Sequence, residues 1–295
     1  MTSAPAPSPP ADPEFLFDRQ HVWIMGVLNA TPDSFYAGSR SSSACALPDA
    51  ERLIDQGADV VDVGGESTRP AAPAVALDEE WARVEPVITA IHDRWPRQCL
   101  SIDTQKAAVA RRAIACGASL INDISALRHD PDMAAVAAES RAPVILMHMQ
   151  GTPQTMQQNP QYDDVVDAVR AFFEERLTFA VRSGIRESAI ILDPGIGFGK
   201  TVEHNVEILR RLEEFAGLGR PLLVGVSRKS FIGRLGADHP GEVLPPEDRL
   251  EGSLAAGLWA VQKGAQGLRV HDVRATRRAV KIWRTIGSTM QGPPL

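Results

Sequence analysis

From Val22 onward, short β-branched and aliphatic runs alternate with longer segments rich in Ala, Leu, Glu and Arg, whose apolar positions recur at helical spacing. The short runs predict strands over 22–29, 59–66, 99–104, 120–125, 143–149, 189–195, 221–228 and 267–273. The periodic segments predict helices over 48–56, 78–94, 105–115, 131–139, 163–182, 202–215, 247–262 and 274–286. Gly57, Gly117, Gly184 and Gly264 stand just past four of these, where a residue that tolerates the left-handed conformation ends a helix. Strict alternation of strand and helix predicts an α/β chain, a closed parallel (β/α)8 TIM barrel rather than an open doubly wound sheet. No stretch of linker composition splits it, so residues 21–288 read as a single domain. Residues 1–20, rich in Pro and Ala, read as a disordered tail, and 289–295 as a C-terminal tail.

Composition narrows the class. Hydrophobic residues make up 44% and charged residues 23% of the 295, the balance of a folded domain rather than a disordered chain. The net charge of −6 supplies no global positive field for nucleic acid or an anionic membrane, so an anionic ligand needs a local site. No apolar run reaches the roughly 18 residues of a membrane span. The N-terminus lacks the basic and apolar regions of a signal peptide. Cys45, Cys99 and Cys116 form no CxxC pair and leave an odd count, which argues against a zinc ribbon or disulfide framework and predicts free thiols in a reducing compartment, the cytoplasm.

The long irregular stretches, 31–47, 67–77, 149–162 and 231–246, each follow a predicted strand. Loops at that end of a parallel barrel build the active site. The strand ends carry Asn29, Asp62, Glu66, Asp103, Asn122, Asp123, His148, Asp193, Ser227, Arg228, Lys229, Arg269, His271 and Asp272. A single Asp there is commonly a helix cap; a polar residue on nearly every strand is a site. Asp103, Asn122 and Asp193 facing inward suit a planar heterocycle with a guanidine-like edge, because a carboxylate accepts two parallel N–H bonds from such an edge. Lys229, Arg269 and His271 lie on the last two strands, where barrels often hold phosphate.

Other chemistries fail on spacing. The run Asp193-Pro-Gly-Ile-Gly-Phe-Gly-Lys-Thr201 has Pro194 where a P-loop needs glycine, and its glycines do not match a dinucleotide fingerprint. It reads instead as a turn that lets backbone approach a ligand. His148, without a paired His or neighbouring Cys, reads as a hydrogen-bonded histidine near the barrel mouth, with Met147 and Met149 packing on a ligand ring or the core. No GxSxG elbow is present.

Eight segments resemble the signature segments of the dihydropteroate synthase family in order: Met25-Gly-Val-Leu-Asn-Ala-Thr-Pro-Asp-Ser-Phe35, Asp62-Val-Gly-Gly-Glu-Ser-Thr-Arg-Pro70, Ser101-Ile-Asp-Thr104, Ile121-Asn-Asp-Ile124, Met147-His-Met-Gln-Gly151, Asp193-Pro-Gly-Ile-Gly-Phe-Gly-Lys200, Ser227-Arg-Lys-Ser230 and Arg269-Val-His-Asp-Val273. The resemblance implies condensation of 6-hydroxymethyl-7,8-dihydropterin diphosphate with 4-aminobenzoate to give 7,8-dihydropteroate and diphosphate. It implies that Asp103, Asn122, Asp193 and Lys229 bind the pterin, that Asn29 ligates a Mg2+ ion on the diphosphate, and that Arg269, beside the ring, holds the diphosphate with His271 and Thr68. Asp103, Asp193, Lys229 and Arg269 would be catalytic, stabilising a cationic pterin as diphosphate departs ahead of arylamine attack. Thr68, Arg69, Pro70, Phe198, Lys229 and Ser230 would form the 4-aminobenzoate site, its carboxylate meeting the Ser230 hydroxyl and nearby backbone N–H groups. A homodimer is also implied, for which Trp259 and Trp283 on the last two helices offer apolar surface.

One departure stands out. Where the family carries Ser-Asp-Gly-Gly after the first-loop phenylalanine, this chain has Tyr36-Ala-Gly-Ser39, so an aspartate facing the cation is absent at Ala37. That change motivates a non-catalytic pterin-binding protein as an alternative. A pterin-dependent methyltransferase is a second one, disfavoured by the Ser227-Arg-Lys-Ser230 and Ser67-Thr-Arg-Pro70 segments.

Overall fold

In the computed structural model, residues 13–30, 42–68 and 72–287 are described. Arg69, Pro70, Ala37, residues 1–12 of the expected N-terminal tail and the C-terminal tail lie outside them. Eight parallel strands run β1 (Trp23–Asn29), β2 (Val60–Gly64), β3 (Cys99–Asp103), β4 (Leu120–Asp123), β5 (Val144–Met147), β6 (Ile190–Asp193), β7 (Leu223–Val224) and β8 (Gly267–Val270). They pair in the order β6-β5-β4-β3-β2-β1-β8-β7, and a parallel bridge between Leu192 and Leu222 joins the two ends into the expected barrel. β7 is shorter than predicted, and at its start the Leu222 N–H is taken by the Gln266 side chain at 2.8 Å.

Helices α1 (Ser42–Asp55), α2 (Leu77–Arg94), α3 (Ala107–Ala115), α4 (Met133–Ser140) and α5 (Val165–Arg182) follow the first five strands. The helix predicted over 202–215 breaks into α6 (Val202–Arg210) and α7 (Glu213–Ala216) at Arg211, whose guanidinium is drawn to Asp164 and Glu214, each at 2.7 Å. A short α8 (Ser230–Leu235) opens the stretch after β7, before α9 (Leu250–Gln262) and α10 (Val273–Gly287). Start signals are local: Asp164 caps α5 through the Val166 and Asp167 N–H groups, and Thr201 with His204 forms a capping box on α6.

Strand alternation divides the core in two. Outward residues such as Ile24, Val61, Leu100, Ile102, Val144, Leu146 and Leu192 pack with the helices. Inward residues Trp23, Met25, Val60, Cys99, Leu120, Ile145, Ile191 and Leu223 fill one end of the barrel together with Leu16. Leu16 corrects the expected boundary of the tail. It is wholly buried in a 3-10 turn, Pro13–Phe17, so the chain enters the fold before residue 21. Its physical reason is the open apolar end of the barrel, which a Leu flanked by Phe15 and Phe17 covers. Gly267 makes room there, since a Cβ would lie 2.3 Å from the Trp23 ring.

Candidate active site

Further along six of the strands the inward positions turn polar or, on β7, to glycine, while Val27 on β1 and Met147 on β5 stay apolar. Val60 is followed by Asp62, Cys99 by Ser101 and Asp103, Leu120 by Asn122, Ile191 by Asp193, Leu223 by Gly225, and Gly267 by Arg269 and His271. Side chains alternate faces with period two, so the barrel that is apolar at one end becomes a polar basin at the other. There Val27, Thr68, Asp103, Asn122, Ile124, Met147, Asp193, Phe198, Gly225, Ser227, Lys229, Arg269 and His271 surround a cleft.

Arg269 organises its floor. Its Nε donates to Asp62 Oδ2 at 2.7 Å and its Nη2 to Asp103 Oδ2 at 2.8 Å. Asn122 Nδ2 donates to the same Asp62 oxygen at 3.1 Å. Burial alone would lower the Arg269 pKa, but Asp62 and Asp103 raise it above its ordinary value. The Asp103 pKa is raised as well, here by burial and against the pull of Arg269, so burial favours its neutral form. Burial likewise raises Asp193, against the pull of Lys229 and of a 2.7 Å hydrogen bond from the Gly195 N–H. These carboxylates have lost water, so a ring presenting N–H groups or positive charge recovers the interaction they lack.

Lys229 reaches into the cleft from the turn after β7. Its ammonium donates to the Ile196 carbonyl and lies 4.6 Å over the Phe198 ring. Burial brings its pKa down to about 8, while Asp193 supports the charge. Ser227 Oγ sits 3.1 Å from His271 Nδ1 at the open rim.

The glycine-rich turn is held as a rigid wall. Lys200 is buried, with Nζ 2.9 Å from His148 Nδ1 and 3.0 Å from both the Gly195 and Phe198 carbonyls. Gly195 has φ +64°, and a Cβ there would lie 1.9 Å from the His148 carbonyl oxygen. His148, buried and edge-on to Phe172, has its pKa pushed down to about 2 by burial and by Lys200. It is the neutral hydrogen-bonded histidine expected. Met147 lines the cleft, and Met149 packs with it against Ile124, Met156 and Phe198.

Of the predicted site residues, the structure gathers Thr68, Asp103, Asn122, Asp193, Phe198, Lys229, Arg269 and His271 around one cleft. Asn29 ends β1 with an exposed side chain, and Ser230 is exposed at the head of α8; neither lines the cleft. The Arg269 nitrogens with ordered partners face carboxylates. Sequence reasoning places Asp62 at a strand end without giving it a role. Its position two residues before Gly64, in phase with inward Val60, is the signal that marks it. Gly225, interrupting an apolar run, is a second.

The sequence profile of the pterin binding enzyme family matches residues 25–271. The dihydropteroate synthase of Escherichia coli (strain K12) is 46% identical over 266 residues, covering 90% of this chain and 92% of that protein. The chain belongs to the pterin-binding enzyme family, among its dihydropteroate synthases. Two solved structures of family members share the barrel. Xanthomonas albilineans dihydropteroate synthase with 4-aminobenzoic acid superposes with a TM-score of 0.85 at 43% identity, over 92% of this chain and 95% of that one. The same organism's enzyme in complex with 7,8-dihydropteroate superposes with a TM-score of 0.82 at 40% identity, with the same coverage of each chain. In family terms, the segment that builds the cleft runs inside the profile match from β1 to His271. Among the described residues, no helix is long and apolar enough to cross a membrane.

Proposed function

We infer that this protein is a transferase that joins 6-hydroxymethyl-7,8-dihydropterin diphosphate to 4-aminobenzoate, releasing diphosphate and forming 7,8-dihydropteroate. The observation that carries the reading is the convergence of Asp103, Asn122, Asp193 and Lys229 on one cleft floored by Arg269. Asp103 and Asp193 accept from the N–H edge of the pterin, Asn122 adds an amide, and Lys229 donates to the ring's acceptor side. As the methylene carbon becomes electron-poor, the two desolvated carboxylates stabilise the positive charge that spreads into the ring. The arylamine attacks as the neutral base and then passes its proton to the released diphosphate or to solvent, so the site needs no strong general base.

Thr68 and His271, which line the same cleft as Arg269, would hold the diphosphate with it. The 4-aminobenzoate ring would lie against Phe198 and the Lys229 stem, with Thr68 and its sequence neighbours Arg69 and Pro70 contributing to the same site and the Ser230 hydroxyl meeting the carboxylate. Asn29, outside the cleft lining at the end of β1, would hold a Mg2+ ion through its amide oxygen, since a hard cation takes such an oxygen and completes its shell with phosphate and water. Asn29, exposed at the tip of β1, offers that oxygen. When bound, the ion supplies charge neutralisation to the departing diphosphate. We also assign the protein to the cytoplasm as a homodimer. Trp259, 44% exposed on α9, and Ile282, 60% exposed on α10, offer apolar surface for a second copy, whereas Trp283, expected to do the same, packs partly buried against the core.

The test is diphosphate release by the purified protein with Mg2+ and the dihydropterin diphosphate, with and without 4-aminobenzoate, beside an Asp193→Ala control. Dihydropteroate formed by the parent and lost in the control supports the reading. Tight dihydropterin diphosphate binding without product would overturn it in favour of a non-catalytic pterin-binding protein.

A further inference from the structure

Arg228 stands between two residues of the cleft, Ser227 and Lys229, yet does not line it. Its φ is +56°, a left-handed conformation uncommon for a residue with a Cβ. Both its backbone polar groups are captured by side chains from elsewhere. The N–H donates to Ser253 Oγ at 2.8 Å, and the carbonyl accepts from Arg249 Nη1 at 2.8 Å. Ser253 Oγ in turn donates to the Arg249 carbonyl at 2.5 Å, which ties the two captors together.

The Arg228 guanidinium is engaged as fully as its backbone. Nε and Nη2 each meet one Asp272 oxygen at 2.7 Å, a bidentate pair, and Nη1 donates to the Pro246 carbonyl at 2.8 Å. Next to this pair, Ser227 Oγ accepts the His271 N–H at 3.2 Å. The turn after β7 and the end of β8 are therefore bolted together at two successive positions, 227 to 271 and 228 to 272. A left-handed residue reverses the path of the chain, and it persists only where its surroundings over-determine it. The hydrogen bonds that Arg228 donates to Asp272, Ser253 and Pro246, with the one it accepts from Arg249, do so here.

We propose that Arg228 and Asp272 are positioning residues, whose bidentate pair locks the turn that aims Lys229 and His271 into the cleft. What Lys229 and His271 touch rests on the synthase reading; the clamp itself does not. Lysine is not an equivalent at 228, because a point charge cannot engage both Asp272 oxygens and Pro246 in one plane.

Three variants of the full chain separate the guanidinium from the backbone. Arg228→Gly adopts φ +56° without strain and so folds, but lacks the clamp. Arg228→Lys keeps the charge, and Asp272→Asn keeps the shape. Each is assayed for turnover with either substrate varied, and the Lys229 titration is read independently by competitive acetylation with acetic anhydride and peptide mass spectrometry across pH. The titratable groups sharing the cleft with Lys229 are Asp103, Asp193, Arg269 and His271.

In Arg228→Gly and Asp272→Asn, KM for the dihydropterin diphosphate rises about tenfold, the scale of removing one charge-assisted hydrogen bond. The Lys229 midpoint moves up from about 8 toward the free-lysine range as its ammonium leaves the buried position. Arg228→Lys falls between these and the parent. Unaltered kinetics with an unmoved Lys229 titration in Arg228→Gly would overturn the proposal, since the turn would then hold without the guanidinium. A general loss of active protein would lower kcat and leave the midpoint in place, which also counts against it. Were the parent itself to make no product, the synthase reading would fall, and the Lys229 titration would still decide the clamp.

Discussion

Replacing Asp62 with Asn asks whether the floor of the cleft is an electrostatic device or a matter of packing. Asp62 is fully buried; its Oδ2 accepts from Arg269 Nε at 2.7 Å and from Asn122 Nδ2 at 3.1 Å, while its Oδ1 is buried without a hydrogen-bond partner. Asparagine is nearly isosteric and keeps one oxygen for these donors, so no cavity opens and only the charge goes. A hydrogen bond to a charged partner contributes roughly 1.5–3 kcal/mol against roughly 0.5–1.5 for a neutral pair, so the Arg269 contact weakens by about 1–1.5 kcal/mol. Arg269 retains Asp103 at 2.8 Å and its side chain is 24% exposed, which keeps the loss below the roughly 3–5 kcal/mol that breaking a buried pair costs. Since about 1.4 kcal/mol is a factor of ten, kcat/KM for the dihydropterin diphosphate should fall about tenfold. KM for 4-aminobenzoate should change less than about twofold, because Asp62 does not touch that side of the cleft. Steady-state kinetics with each substrate varied reads both numbers. A kcat/KM for the dihydropterin diphosphate within about twofold of the parent, at equal denaturation midpoint, would refute the electrostatic account of the floor.

Four further outcomes follow from the structure and the sequence. Leu16→Ala, which opens a void at the closed end of the barrel, should cost about 3 kcal/mol in urea unfolding, and a cost below about 1 would mean the 3-10 turn does not plug the barrel. With pH, kcat/KM for the dihydropterin diphosphate should fall above about 8 as Lys229 gives up its proton, and fall again on the acid side as Asp103 and Asp193, both raised by burial, take protons up; a rate that keeps climbing past pH 9 would contradict the role given to the ammonium. Gly195→Ala sets a Cβ against the His148 carbonyl at a positive φ, so thermal denaturation should show a loss of about 2–4 kcal/mol together with most of the activity, and a parent-like midpoint would show that the wall is not rigid. Ala37→Asp restores the family's first-loop aspartate and should raise kcat; an unchanged or lower kcat would mean that the remaining acceptors suffice.

Much of this architecture is legible in the sequence because two periodicities report it independently. The period-two alternation places Val60, Asp62 and Gly64 on one side of β2 and Val61 and Val63 on the other, and the structure finds the first set inside the barrel and the second under the helices. The same alternation foretells that Asp103, Asn122 and Asp193 converge, since each stands two residues beyond an inward residue or on an inward phase. What alternation cannot carry is non-local. Leu16 lies in a Pro-rich stretch that looks unstructured by composition, and it is ordered only because the barrel's apolar end needs a lid. Arg211 breaks a continuous helical pattern because Asp164, 47 positions away, pulls on its side chain. Arg228 reads as one more cation at a strand end until Asp272, Ser253 and Arg249 come into contact with it. The division has a physical basis. Groups that meet a ligand are set by strand phase, which is written locally. Groups that hold those in place act through partners brought near by the fold, and Arg228 and Asp62 are both of that second kind. A substitution at either is therefore read best by what it does to Lys229 or Arg269, the residues through which each would act.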